Sequence, residues 1–198
     1  AVIACLAGVP LGILLALGRR SSLPLIRILC TGFIEAVRGV PLITLLFFGA
    51  FVLPMLVPAQ WRVDPMVRIA VCLAAFSAAY LAEVFRGGLQ AVPQGQVMAA
   101  QAMGFTRVQV LRHVVLPQAL RVTIAPTVSN FIGAVKDTSL VAIVNIYDIT
   151  GSLKMAMSDP HWIAYFVEMY MVVCAVYLLI GLGIARYGRF LESRYALQ

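Results

Sequence analysis

The sequence predicts an all-α protein embedded in a membrane, with about five helices crossing it and a single domain over residues 1–198. Three observations carry this. Hydrophobic residues make up 62% of the chain and charged residues only 12%, with a mean hydropathy of +0.97. Soluble domains carry roughly 25% charged residues. Apolar residues come in stretches near the length of about 20 that the hydrocarbon layer demands, and the arginines fall in short clusters between them.

The spans follow in order. The first runs from Ala1 to Leu17. It starts inside an apolar run without a Met, so the chain reads as trimmed at its N-terminus. Segment 21–39 is amphipathic, with Leu25, Ile28, Leu29, Phe33 and Val37 at near-helical spacing, and is expected to lie along the inner interface. The second span covers about Val40 to Val57 and the third about Met66 to Phe85. The fourth covers about Leu120 to Val144, interrupted by polar residues, and the fifth about Trp162 to Ala185.

Arginine placement orients these spans. Arg19, Arg20 and Arg27 follow span one. Arg86, Arg107, Arg112 and Arg121 follow span three, and Arg186, Arg189 and Arg194 form the tail. The opposite connections carry only Arg62, with Arg68 at the edge, and Lys154. By the positive-inside rule the C-terminus is expected in the cytoplasm. Trp61 and Trp162 then fall at the outer interface. The net charge of +7 is explained by these loops, and the contiguous basic patch of a nucleic-acid binder is missing.

The longest polar connection, residues 86–119, reads as an ordered bracket. Gln96 to Met103 is a good helix former, Gly104 a stop, and Thr106 a cap for a second helix from Arg107 to Leu116 that ends at Pro117. Within it Met98, Ala99 and Ala100 are followed after three residues by Gly104, and nine residues later by Val114, Val115, Leu116 and Pro117. Small alanines suit close packing in a partner's groove, glycine a tight turn and proline a helix end.

This pattern resembles the "EAA" loop of permeases in binding-protein-dependent ABC importers, with Met98 in place of Glu and Val114 in place of Ile. The likeness extends over most of residues 38–140, to Arg38-Gly39-Val40-Pro41-Leu42, Ala79 to Gly88, Pro93-Gln94-Gly95-Gln96, Leu116 to Arg121 and Lys136-Asp137-Thr138-Ser139-Leu140. It is similar to the polar amino acid subgroup, of histidine, glutamine and general L-amino acid type. The resemblance implies a type I ABC importer (MetI-like) fold of five core spans, in the inner membrane of a bacterium. It implies a second permease subunit, the same or homologous, an ATPase dimer beneath and a periplasmic or extracellular solute-binding protein. It also implies Met98, Ala99, Ala100, Gly104, Val114, Leu116 and Pro117 as the ATPase-coupling loop. The chain contains no Walker A pattern, so ATP-Mg belongs to the partner ATPase and this chain is expected to bind no cofactor. A secondary transporter working without an ATPase is the competing transport class, but no second half resembles the first.

Polar residues in or near the spans are the remaining candidates. Glu83 and Arg86 share a helix face, as a local ion pair or a gate. Asn130, Lys136 and Asp137 lie in span four, where charges face a bundle interior or a wet cavity. Lys136 and Asp137 point to different sides, and either line a path or hold the helix where it breaks. Ser77, Tyr80 and Asn130 are the expected path positions. Glu168, about 9 Å into span five, reaches the outer interface or lines the path. The methionines at 98, 103, 155, 157, 169 and 171 are expected to pack, and the four cysteines to be small buried hydrophobes. His113 and His161 stand alone, so no metal site is expected. No nucleophile–base or paired-carboxylate set appears, so the chain is expected not to be an enzyme.

Overall fold

A computed structural model describes residues 1–58, 60 and 63–195, so Trp61 and Arg62 lie outside the described residues. Every regular element among the described residues is helical. Helix α1 (Val2–Arg19) packs along α5 (Pro65–Ala91), the longest shared face in the structure. The buried residues of α1 are Ala4, Gly8, Gly12 and Ala16, one every four residues. That stripe of small side chains lets two membrane helices approach closely. A Cβ on Gly12 would stand 2.9 Å from the Leu81 Cβ and 3.1 Å from the Ala78 carbonyl oxygen. The contact is therefore backbone against backbone.

Helix α2 (Pro24–Gly39) is the amphipathic segment. Proline at its first position is preorganised for a helix start. The chain then bends by 105° into the stretch Leu42–Leu56. Pro41 makes this bend: Val40 before it is extended (ψ 135°), as a residue preceding proline prefers. Leu42–Leu56 contains α3 (Leu42–Phe47), a π-helical turn (Phe48–Val52) and α4 (Leu53–Leu56). The second crossing is thus short and entered by a sharp corner. The π turn sits just before Pro54, whose ring cannot tolerate a normal carbonyl four residues back. That carbonyl, of Ala50, accepts from Arg68 Nη2 at 3.5 Å.

Helix α5 opens on Asp64, whose carboxylate accepts from the Met66 amide at 2.7 Å. At 1.5 Å per residue it is about 40 Å long, longer than the roughly 30 Å hydrocarbon layer, so its far end leaves the bilayer. The bracket follows: α6 (Gln94–Ala102), α7 (Arg107–Val110), a π turn (Leu111–Val115) and α8 (Leu116–Val122). Here one expectation is corrected. Pro117 does not end the second helix. The π turn widens the helix ahead of the proline and the chain continues through it into α8, while the Gln118 side chain donates to the Val114 carbonyl at 2.9 Å.

The fourth span is also corrected. It breaks at Thr123, and the crossing element is α9 (Ile124–Asp137) followed by a 3₁₀ segment (Thr138–Val144). Asn145 closes it in the left-handed region (φ 59°). Helix α10 (Ile149–Ala156) is short, and a 3₁₀ turn (Ile163–Tyr165) leads into α11 (Phe166–Tyr195). Among the described residues four helices are long and apolar enough to cross a membrane, or five when the bent pair is taken as one span.

Two buried clusters hold the bundle. One joins Ala16, Leu81, Phe85 and Leu89 to Ala100, Val110, Val115 and Ala119, so the bracket is built into the core of the spans. The other joins Leu42 and Leu46 to Ile69, Cys72, Val141 and Val144. The most apolar stretch of α11 has no buried residue at all. The methionines and cysteines correct the packing expectation accordingly. Met98, Met103, Met155 and Met171 are exposed, and of the cysteines Cys72 is buried, Cys5 and Cys30 are half-buried and Cys174 is exposed. An apolar side chain on a single membrane chain has lipid or a neighbour to face as well as its own core.

Candidate functional site

The bracket is locally determined. Gly104 has φ +85°, a conformation open to glycine at little cost. It is the left-handed residue of a full helix-ending motif: the Phe105 amide donates to Ala100 O and the Gly104 amide to Gln101 O. Thr106 and Gln109 then form a reciprocal capping box that starts α7. The Gln118 amide donates to Gln96 Oε1 at 2.5 Å and ties α8 back to α6.

Its residues divide between two faces. Ala100 is buried in the chain's own core and Val114 and Leu116 are half-buried, whereas Met98, Ala99, Gly104 and Pro117 are exposed. The two alanines therefore do different jobs, because successive helical residues point about 100° apart. Met98, Met103, Phe105 and Val108 are exposed apolar side chains of the bracket, with Met98 61% and Met103 78% accessible.

Glu83 proves to be more than half of a local pair. Its Oε2 accepts from Arg86 at 2.7 and 2.8 Å. Its Oε1 accepts from Arg19 Nη1 on α1 at 2.5 Å and lies 3.9 Å from Arg38 Nη1 on α2. Arg19 also reaches Glu35 at 3.1 Å. One carboxylate thus joins the C-terminal ends of α1 and α2 to the C-terminal third of α5. The sequence reading did not single out Glu35, and it named Arg19 only as an orienting charge and Arg38 only as part of a motif. The available signal was that the predicted spans put the ends of one and three on the same side of the membrane.

The polar residues deeper in the bundle are partly brought together. Ser77 is buried, and its hydroxyl donates to Asn130 Oδ1 at 3.2 Å, linking α5 to α9. Tyr80 packs against Phe76 with the rings tilted by 39° and centroids 4.7 Å apart, and the Arg38 guanidinium lies 5.3 Å from the Tyr80 ring centre. Lys136 lines a cavity of about 420 Å³ between α9 and α11, with Ser139 and Tyr177. Asp137 ends α9 where the helix tightens to 3₁₀, and the Thr138 hydroxyl donates to Val135 O at 2.7 Å at that point. Glu168 stands in the first turn of α11, on a cavity of about 490 Å³ shared with α10, apart from the Ser77–Asn130 pair.

A further polar tie escaped the sequence reading. The Tyr177 hydroxyl donates to Asp148 Oδ2 at 2.6 Å, while Asp148 Oδ1 caps α10 through the Gly151 amide at 2.8 Å. The signal was a tyrosine in mid-span, whose hydroxyl needs a partner when buried.

Comparisons with known proteins agree with this architecture. Residues 8–196 match the family described as binding-protein-dependent transport system inner membrane component. The chain is 43% identical over 194 residues to the glutamate/glutamine/aspartate/asparagine transport system permease protein of Rhodobacter capsulatus, covering 98% of this chain and 45% of that one. It is 44% identical over 188 residues to an inner membrane amino-acid ABC transporter permease protein of Escherichia coli, covering 94% of this chain and 51% of that one. The chain thus spans about half the length of these curated relatives. A crystal structure of an amino acid ABC transporter with histidines superposes with a TM-score of 0.86 at 28% identity, covering 97% of this chain and 87% of that one. The five-crossing arrangement, the bracket built into its core and the match across residues 8–196 lead to one assignment: the chain belongs to the family of binding-protein-dependent transport system inner membrane components.

Proposed function

We propose that this chain is the permease subunit of an ATP-binding-cassette importer that moves polar L-amino acids into the cytoplasm. It works with a second permease subunit, a pair of ATPase subunits that bind ATP-Mg, and a solute-binding protein outside. The bracket carries this reading. It carries exposed apolar side chains at Met98, Met103, Phe105 and Val108, while its Ala100, Val110 and Val115 are buried with Leu81, Phe85 and Leu89 of α5. A push on the exposed side reaches the spans through packed side chains, which deform little. ATP binding then biases the bundle between its inward-open and outward-open arrangements. Amino acid relatives at 43% and 44% identity support the substrate class.

In this reading the bracket and the C-terminus are cytoplasmic, and α10 lies at the outer face with Glu168. Asn130, Ser77 and Tyr80 line the path, Lys136 and Asp137 hold the helix where it changes pitch, and Glu83 with Arg86 fixes the inner ends. The test is uptake of labelled polar amino acids into vesicles containing the assembled complex and its binding protein. Uptake should require ATP inside and all the subunits. Uptake by the chain alone, driven by an ion gradient, would instead establish the secondary-transporter reading. Alanine at Asn130, Ser77 or Tyr80 should change the relative rates for acidic, basic and neutral amino acids. Unchanged rates in all three would reject that path.

A further inference from the structure

A cavity of about 340 Å³ lies between the end of α1, the end of α5 and the bracket. Its polar lining is Arg20 from α1, Gln94 and Gln101 from α6, and Arg107 from α7. Its apolar lining includes Leu17 and Leu89. The same two leucines also border a narrow, wholly apolar cleft between α1, α5 and α8. The lining of the larger cavity by itself joins apolar side chains, Leu17 and Leu89 among them, to charge.

Two arginines, Arg20 and Arg107, share the cavity. Arg19, one residue earlier, is held by Glu83 and Glu35, and Arg86 by Glu83 and Gln90. Among the described residues Arg20 and Arg107 have neither an acidic partner nor a side-chain hydrogen bond. Two exposed guanidinium groups without a carboxylate partner on one cavity offer a site to an anion. Guanidinium matches a phosphate through two parallel hydrogen bonds, and the two glutamine amides supply further donors.

We propose that this cavity binds the headgroup of an anionic phospholipid of the inner leaflet, with its phosphodiester between Arg20 and Arg107 and its acyl chains leaving past Leu17. The proposal rests on the orientation given above, which puts α1's end and the bracket at the cytoplasmic surface. Basic cavities between membrane helices on that side suit anionic headgroups. A soluble phosphate would use the arginines but not the apolar side chains, such as Leu17 and Leu89, that line the same cavity. Arg107 and Gln101 belong to the bracket, so the bound lipid joins α1 directly to the coupling element. Membrane charge then tunes how well ATP hydrolysis is coupled to transport.

The test uses the assembled complex in nanodiscs of phosphatidylcholine with added phosphatidylglycerol, and reads the retained lipid by native mass spectrometry without turnover. The wild type should retain phosphatidylglycerol in preference to phosphatidylcholine. Arg20→Gln and Arg107→Gln should each weaken that retention about fivefold, and the pair more. Equal retention by the double variant and the wild type overturns the proposal. So does displacement of the lipid by inorganic phosphate, which would mark a soluble-anion site. Retention by the permease pair but not by the complex with its ATPase also overturns it, because an acidic segment of the ATPase would then fill the cavity. If the glutamine variants fail to assemble, Arg20→Lys with Arg107→Lys keeps the charge without the guanidinium fork. Its retention should fall between wild type and the phosphatidylcholine background, and retention equal to wild type rejects the two-bond recognition. ATP-driven uptake by the wild type is read separately, so a failed transport reading and a failed lipid site are told apart.

Discussion

Replacing Glu83 with Gln should loosen the end of the bundle where α1, α2 and α5 meet, and a double-mutant cycle with Arg19→Gln should show why. Gln keeps the size of Glu83 and one acceptor oxygen, and removes the charge. Three guanidinium groups, from Arg19, Arg38 and Arg86, would then converge on a neutral amide, with Glu35 as the remaining carboxylate nearby. Removing one partner of a fully buried pair costs about 3–5 kcal/mol. Glu83 is 17% exposed and Arg19 27%, while Arg38 and Arg86 exceed a third, so solvent reduces the cost to about 2–3 kcal/mol. The partners should contribute unequally. Glu83 and Arg86 are three residues apart on one helix, so their pair also forms when α5 stands alone, and is expected to contribute about 0.2–0.5 kcal/mol. The Arg19–Glu83 pair exists only when α1 docks on α5, so its coupling energy should be about 1–3 kcal/mol. The assay is denaturant-induced unfolding of the purified complex for wild type, both single variants and the double. Additivity of Arg19→Gln and Glu83→Gln within about 0.5 kcal/mol would refute the reasoning.

Three other outcomes are expected. Gly12→Ala should lower the stability of the assembled complex by about 1–3 kcal/mol, because its Cβ would press on Leu81 and on the backbone of α5. Gly183→Ala, with nothing within 4 Å of its Cβ, should be neutral or stabilising by about 0.5–1 kcal/mol, and thermal unfolding compares the two. Gly104→Trp should abolish ATPase stimulation by the binding protein while the permease still inserts, since the left-handed turn is lost and the bulk falls on the exposed side of the bracket. Gly104→Asn, which tolerates that conformation, should retain most of the stimulation; an equal loss in both would reject the turn as the cause. Gln109→Cys should react with an impermeant thiol reagent only from the cytoplasmic side, and Ser158→Cys only from outside, in a background without accessible native cysteines. The reverse pattern would invert the topology.

Much of this architecture was legible in the sequence, because a bilayer forces backbone polar groups to pair within each helix. Apolar run lengths alone therefore announced the spans, and local backbone chemistry announced the bracket: Gly104 turned and Thr106 capped as their side chains require. Local chemistry also misled where the missing information was not local. Pro117 reads as a stop, but the helix widens by a π turn and goes on, because Val110, Val115 and Ala119 are held in the core against α5. Met98 and Met103 read as packing, but among the described residues they stay 61% and 78% exposed. Pairings between distant residues were decided by tertiary structure alone. Arg19 meets Glu83 across 64 positions, Ser77 meets Asn130 across 53, and Tyr177 meets Asp148 across 29. Helical periodicity says which face a residue occupies and not which helix that face will meet. That choice was made by the small-residue stripe of α1 against α5, where close backbone approach depends on the shapes of both helices together.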